Sequence, residues 1–211
     1  MAPEKEKSKV HKLSLKGSAK LVSEFFEYSI HSILVKKYGL NMLVSADDQV
    51  KAYIKKIMSQ LNKWMLGGKI SKLVIVITDK DTGEHVERWQ FDVEIFKISK
   101  SKSTRKTPDE NANPGSQPSS SSAPPEKSEK EIQDEIQAIF RQITASVTFL
   151  PMLDGNCTFN VLVYADADSE VPLEWGDSDA KEIENGEKVQ LRSFSTSSHR
   201  VDTMVSYRLA E

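Results

Sequence analysis

Residues 72–95, KLVIVITDKDTGEHVERWQFDVEI, decide how the rest of the chain is read. The first eight are an almost continuous apolar run rich in β-branched side chains, as in a strand covered on both faces. KDTG (80–83) supplies turn chemistry. His85–Ile95 then alternates, with Trp89, Phe91, Val93 and Ile95 on one face and Arg88, Gln90, Asp92 and Glu94 on the other. The stretch is a β-hairpin.

Upstream of it, Val50, Tyr53, Ile54, Ile57, Leu61, Trp64 and Met65 recur at helical spacing. Asp47 or Asp48 offers the N-cap, and Gly67-Gly68 closes the helix. An earlier helix starts at Ser18 and carries Leu21, Phe25, Ile30, Ile33 and Leu34, and YGLNMLVS (38–45) reads as a short strand. Downstream, composition breaks at about Lys97. Residues 97–130 are Ser/Pro-rich, polar and aromatic-free, and cannot bury enough surface to offset their ordering entropy, so a disordered loop is expected.

A third helix resumes at Glu131 with Ile132, Ile136, Ile139, Phe140 and Ile143 on one stripe, and runs into TASVTFLP as a strand. CTFNVLVYAD (157–166) alternates as another. Beyond it, residues 168–188 are acidic and irregular, holding one large apolar anchor, Trp175. VQLRSFSTS (189–197) and HRVDTMVSYRL (199–209) read as two edge or mobile strands. The order is α, β, α, β-hairpin, α, β, irregular segment, β, β, an α+β domain.

The bulk numbers narrow the function. With 211 residues the chain makes one domain with a sizeable core. A net charge of −2 gives no global field for nucleic acid or an anionic membrane. The N-terminal residues 1–12 read as a flexible arm without the apolar core of a secretory signal, and no run is long enough to span a bilayer. The lone Cys157 lies on an apolar strand and reads as a structural thiol. A reducing compartment fits, which makes the Asn156-Cys157-Thr158 sequon a chance match.

Enzyme chemistry needs convergent reactive groups, and none converge here. His11, His31, His85 and His199 are scattered without metal-ligand spacing. Gly67-Gly68-Lys69 lacks the remainder of a phosphate loop, and Asp166-Ala-Asp168 lacks the calcium-loop glycine and closing glutamate. The basic residues at 97–106 have no interleaved aromatics. What stands out instead is Arg141. With Ile132 at zero on a wheel of about 100° per residue, Arg141 falls opposite the apolar stripe, with Ala138 and Ala145 beside it and Gln142 on the flank. Small residues around one long donor make a face that another surface could approach closely.

Five segments carry a resemblance: KYGLNMLV (37–44), ERWQFDVE (87–94), IQDEIQAIFRQITASVTFLPML (132–153), VPLEW (171–175) and RSFSTSSHRV (192–201). Together they resemble the HORMA-domain family, in its spindle-assembly-checkpoint branch, and lie in order along most of the chain. The resemblance implies a HORMA fold, three main helices on a mostly antiparallel sheet, formed by a single domain at residues 13–211. It also implies a mobile C-terminal safety belt at residues 166–211. In the open state the belt lies along one sheet edge and blocks the binding site. In the closed state it moves to the opposite edge and wraps over a partner peptide, which adds to the sheet as a strand.

Implied partners are the anaphase-promoting-complex activator, a kinetochore coiled-coil receptor and a checkpoint kinase-like protein. A HORMA-like adaptor, an AAA+ ATPase grasping residues 1–12, and a second copy of the chain complete the set. No cofactor, metal, nucleic acid or membrane insertion is implied; the location is nucleus, kinetochore and cytoplasm. Residue by residue, Arg141, Gln142 and Phe149 match the dimerisation surface. Trp175, Arg192, Phe194, His199, Val205 and Tyr207 match the belt and the capture apparatus. Leu15 and Trp64 match switch positions, and Thr203 matches a phosphorylatable hydroxyl. The chain departs from the family after the first helix, where Ile33-Leu34-Val35 runs straight into Lys36-Lys37-Tyr38 without the usual proline-containing turn. The alternatives are another HORMA adaptor, of translesion-polymerase or meiotic type, or a variant disabled by that shortened connection.

Overall fold

The computed structural model describes residues 14–37, 47–96, 127–153 and 156–209. The N-terminal arm, the strand expected at 38–45 and the Ser/Pro-rich residues up to 126 lie outside these. Helix α1 (Leu15–Lys37) begins a turn earlier than its apolar stripe indicates, because Ser14 caps it. The Ser14 hydroxyl accepts from Gly17 N–H at 3.1 Å. Helix α2 (Asp48–Leu66) is capped by Asp47, whose carboxylate accepts from Gln49 N–H at 2.8 Å and Val50 N–H at 3.3 Å. Its end is a Schellman turn: Lys69 N–H reaches the Trp64 carbonyl at 2.9 Å and Gly68 N–H that of Met65 at 3.0 Å, with Gly68 at φ 65°.

Helix α3 (Glu129–Ala145) starts on a capping box formed by Ser128 and Glu131. Residues 127–130 therefore belong to ordered structure and not to the loop expected there. The strands are β1 (Ile70–Asp79), β2 (His85–Ile95), β3 (Cys157–Ala165), β4 (Glu187–Gln190), β5 (Phe194–Ser195) and β6 (His199–Tyr207). They form one antiparallel sheet in the order β3-β1-β2-β6-β4, with β5 also on β6.

Register sorts the side chains between two faces. Ile75 sits opposite Trp89 and Val161, and Trp89 opposite Val205, giving a row on the helix side. One residue along, Val76 sits opposite Arg88 and Arg88 opposite Ser206, giving a row on the other side. The helix side carries the core: Phe26, Ile30, Ile54, Leu61, Ile139 and Ile143 pack on Leu73, Ile75, Phe91 and Val205. Each fully buried large side chain contributes about 1.5–3 kcal/mol. Phe25 lies at the centre, its ring 5.7 Å from Phe91, 5.4 Å from Phe140 and 4.8 Å from Phe194.

Four expectations change. TASVTFLP does not enter a strand; α3 ends in a 3-10 turn at Ser146–Thr148, where Ser146 Oγ donates to the Ile143 carbonyl at 2.6 Å. Phe149 follows that turn, and the next strand begins only at Cys157. Strand β6 is neither edge nor mobile, for it lies between β2 and β4 with Val201, Thr203 and Val205 fully buried. The 189–197 strand is two short ones, because Gln142 Oε1 on α3 takes the Arg192 N–H at 2.7 Å and bends the chain away. Last, Arg88 and Gln90, on the polar face of β2, are buried.

Candidate functional site

Strand β3 is the edge that defines the site. Among the described strands it pairs with β1 alone, leaving nine residues, Cys157–Ala165, with one side of their backbone unpaired. A long bare edge is a template for another strand. Aromatic rings flank it. Phe159 meets Tyr53 of α2 edge-on at 5.6 Å, and Lys72 Nζ lies 5.1 Å from the ring centre of Tyr164 on the opposite face.

From the end of β3 an irregular strap, residues 166–186, leads to β4. Its start is tied to the α2–β1 turn: Asp166 N–H donates to the Lys69 carbonyl at 2.9 Å, and Lys69 Nζ bonds both oxygens of Asp168 at 2.8 and 2.7 Å. That contact raises the Lys69 pKa and lowers that of Asp168, each through its hydrogen bond to the other. The middle of the strap lies on α2. Trp64 Nε1–H donates to the Glu170 carbonyl at 3.0 Å, the Trp64 and Trp175 rings meet at 5.0 Å and 70°, and Lys56 approaches Glu174 at 3.6 Å. Its far end is on the other face of the sheet, where Arg88 Nε–H donates to the Ala180 carbonyl at 3.1 Å. Between Trp175 and Ala180 the strap therefore passes from the helix side to the opposite side. It returns to the sheet through Gly186, where a Cβ would stand 2.9 Å from the Tyr207 carbonyl.

The C-terminal strands are fixed on the β2 side by three polar clusters. Ser18 Oγ on the first turns of α1 lies 2.6 Å from His199 Nδ1 and 2.5 Å from Thr196 Oγ1, all buried. Desolvation lowers the His199 pKa, which favours the neutral ring. Lys127 Nζ bonds Glu135 at 2.6 and 2.8 Å and Ser195 Oγ at 2.7 Å. Gln142 holds Arg192, as above. Phe194 fills the core against Phe25.

The positions taken from the resemblance distribute as follows. Trp64 and Trp175 meet, and Val205, Tyr207, Phe194 and His199 are buried in or beside β6. Arg192 is exposed on the bend between β4 and β5. Arg141 is exposed, and its Nη2–H donates to Gln137 Oε1 at 3.3 Å. Gln142 is half-buried, and its Oε1 accepts the Arg192 N–H. Phe149 is 38% exposed, its ring 5.6 Å from Tyr207. Leu15 is exposed at the start of α1. Thr203 is fully buried with its hydroxyl unpartnered, so no kinase reaches it while β6 is in the sheet. Arg88, Ser18 and Lys127 went unnoticed in the sequence, since each acquires its role from residues far along the chain.

Among the described residues no group of three or more His, Cys, Asp or Glu is placed to hold a metal ion, and no helix is long and apolar enough to cross a membrane. Cys157 is half-buried on β3.

Helices on one face of an antiparallel sheet, with a C-terminal strap crossing to the far edge, define the HORMA class of domain. The HORMA domain pattern matches residues 18–199. The mitotic spindle checkpoint component mad2 of Schizosaccharomyces pombe is 54% identical over 93% of this chain and 94% of its own. The mitotic spindle assembly checkpoint protein MAD2A of Homo sapiens is 41% identical over 93% of each. A chain in the crystal structure of a mitotic checkpoint complex superposes with a TM-score of 0.73 at 50% identity, over 92% of this chain and 99% of that one. Caenorhabditis elegans HTP-2 bound to a HIM-3 closure motif shares the fold, with a TM-score of 0.64 at 12% identity over 98% of each. The chain belongs to the HORMA-domain family, in its spindle-checkpoint branch.

Proposed function

We propose that this protein is a spindle-checkpoint adaptor that captures a short peptide of the anaphase-promoting-complex activator, or of a kinetochore coiled-coil receptor, on the β3 edge. We read this arrangement as the closed one: residues 166–211 are the belt, with its C-terminal strands on the β2 side and the strap 166–186 as the part that crosses the sheet. The observation that carries this reading is the unpaired β3 edge beside a strap tied to α2 on one face and to β2 on the other. An incoming strand would take ladder bonds worth about 0.5–1.5 kcal/mol each, and the belt would slow its departure.

Opening requires β4, β5 and β6 to leave β2 and repack elsewhere, a fold switch between two packings of similar free energy. The exposed Arg141 beside Ala138 and Ala145 is the surface on which a second copy docks. Capture of the activator would delay anaphase, placing the protein in the nucleus, at kinetochores and in the cytoplasm. The kinase-like protein, HORMA-like adaptor and AAA+ ATPase are partners of the same cycle.

Hydrogen exchange with and without a synthetic activator peptide tests this. Slow protection of β3 and of residues 166–186 on adding peptide is the expected result. If β3 never gains protection, capture at this edge is wrong.

A further inference from the structure

Arg88 is the largest charged side chain buried in the described structure, with none of its side-chain surface exposed. It stands near the middle of the sheet's outer face, opposite Val76 on β1 and Ser206 on β6. A buried guanidinium is costly unless its donors are met. Here Nη1 donates to Gln90 Oε1 at 2.6 Å, and Gln90 passes the chain on to Asp92 at 2.8 Å. The remaining partners come from the belt: the Ala180 carbonyl on Nε, and the Glu182 carboxylate 3.0 Å from Nη2 as an off-axis ion pair.

The belt backbone is shaped for this grip. Lys181, between the two gripped residues, has φ 46°, in the left-handed region that side chains disfavour. That turn presents a carbonyl to Nε and, two residues on, a carboxylate beside Nη2 of the same guanidinium, two separate positions that the single ammonium of a lysine does not serve together. The next residue but one, Ile183, is buried.

We propose that Arg88 is the positioning residue of the belt: by gripping Ala180 and Glu182 it fixes how much chain is left to span the β3 edge. The proposal deepens the capture reading and rests on it. Upstream, Lys69 and Trp64 hold Asp168 and Trp175, so only residues 176–179 remain between the last α2 contact and the Arg88 grip. Releasing the grip adds slack to the loop that encloses the captured strand.

The test uses the free full-length chain and its Arg88→Met, Arg88→Lys and Glu182→Gln variants. Thermolysin cleavage before Ile183 reads belt release, and the NMR titration of His85 reads belt position. Burial first, and then Lys181, holds the His85 pKa below its usual value, while Asp179 opposes them, so a released belt lets it rise. Arg88→Met is expected to speed the Ile183 cut by about tenfold or more and to raise the His85 pKa. Arg88→Lys falls between, and Glu182→Gln, half-exposed and safe for folding, gives several-fold. Cleavage that rises equally in α1, α3 and the belt, or an Ile183 cut unchanged in both Arg88→Met and Glu182→Gln, overturns the proposal.

Retention of a synthetic activator peptide is measured separately. A loosened belt with faster peptide loss supports both readings. A loosened belt with unchanged retention keeps Arg88 as the grip but removes the belt from capture.

Discussion

The ring of Trp175 stands edge-on to that of Trp64 at 5.0 Å, and this contact helps join a segment without secondary structure to helix α2. Trp64 is 6% exposed and also donates its indole N–H to Glu170. An aromatic pair of this geometry contributes about 0.5–1.5 kcal/mol beyond the area it buries. Trp175→Ala is therefore expected to speed release of a captured peptide roughly tenfold or more, at about 1.4 kcal/mol per decade. Trp64→Phe, which keeps a ring and loses the hydrogen bond, should cost about 1 kcal/mol. Release rates from a fluorescent peptide would check both. Equal rates for parent and Trp175→Ala would remove the tryptophan pair from the capture device.

Arg141 and Gln142 are adjacent in sequence and make different contacts. Arg141 is exposed and donates to Gln137 of its own helix, while Gln142 accepts the Arg192 N–H across to the C-terminal strands. Arg141→Ala should abolish self-association and leave thermal stability within about 0.5 kcal/mol of the parent. Gln142→Ala should cost about 0.5–1 kcal/mol and loosen the β4–β5 bend, because the exposed Arg192 N–H loses its protein acceptor to water. Size-exclusion chromatography with thermal melts separates these outcomes. A monomeric Gln142→Ala with unchanged stability would mean that Gln142 acts at the interface after all.

His199 couples the domain to pH. Burial holds its pKa below the usual value of about 6.5. Between those two values the unfolded chain binds more protons than the folded one, so stability is full above about pH 6.5 and declines as pH falls. His31 and His85 shift the same way, both chiefly by burial, so a global melt reports all three. Exchange in β5 and β6 isolates His199, whose ring bridges to Ser18 on α1. Acidification to about pH 5.5 should loosen these strands ahead of β1, and His199→Gln should blunt the effect. Strands β1 and β6 losing protection together at all pH values would rule the coupling out.

Thr203 is fully buried with an unpartnered hydroxyl. Replacing that hydroxyl by a methyl removes an unmet polar group, so Thr203→Val should stabilise the described arrangement by about 1 kcal/mol. Thr203→Asp would bury an unpaired carboxylate and should cost about 3 kcal/mol or more. A modifying enzyme would need that strand out of the sheet to reach this hydroxyl. Urea melts of both variants give the answer, and a destabilised valine variant would show a hydroxyl partner that the arrangement requires.

Much of the domain was legible along the chain. The β1–β2 hairpin follows from a β-branched run, a KDTG turn and strict alternation, all local signals. The α2 and α3 stripes follow from helical spacing, and the ends of α2 from Asp47 and Gly67-Gly68, because capping is satisfied within one turn; the Ser128/Glu131 box that starts α3 was hidden in the polar composition of the segment before it. The family was legible too, from five ordered segments. Those signals need no knowledge of what packs where.

The tertiary structure alone decided the remainder. TASVTFLP has strand composition, yet Ser146 closes a 3-10 turn on the α3 carbonyls. HRVDTMVSYRL reads as an edge strand because its polar residues alternate with apolar ones. It sits inside the sheet because β4 and β5 cover its other side. Arg88 sits in a polar row of β2 that a reader assigns to solvent, and it is buried by Ala180 and Glu182 from a segment some ninety residues later. Local sequence encodes periodicity and caps, since those depend on neighbours within a turn or two. Which face a segment with weak periodicity covers, and which edge a strand of moderate apolarity chooses, depends on long-range burial, and the chain acquires that only when it folds.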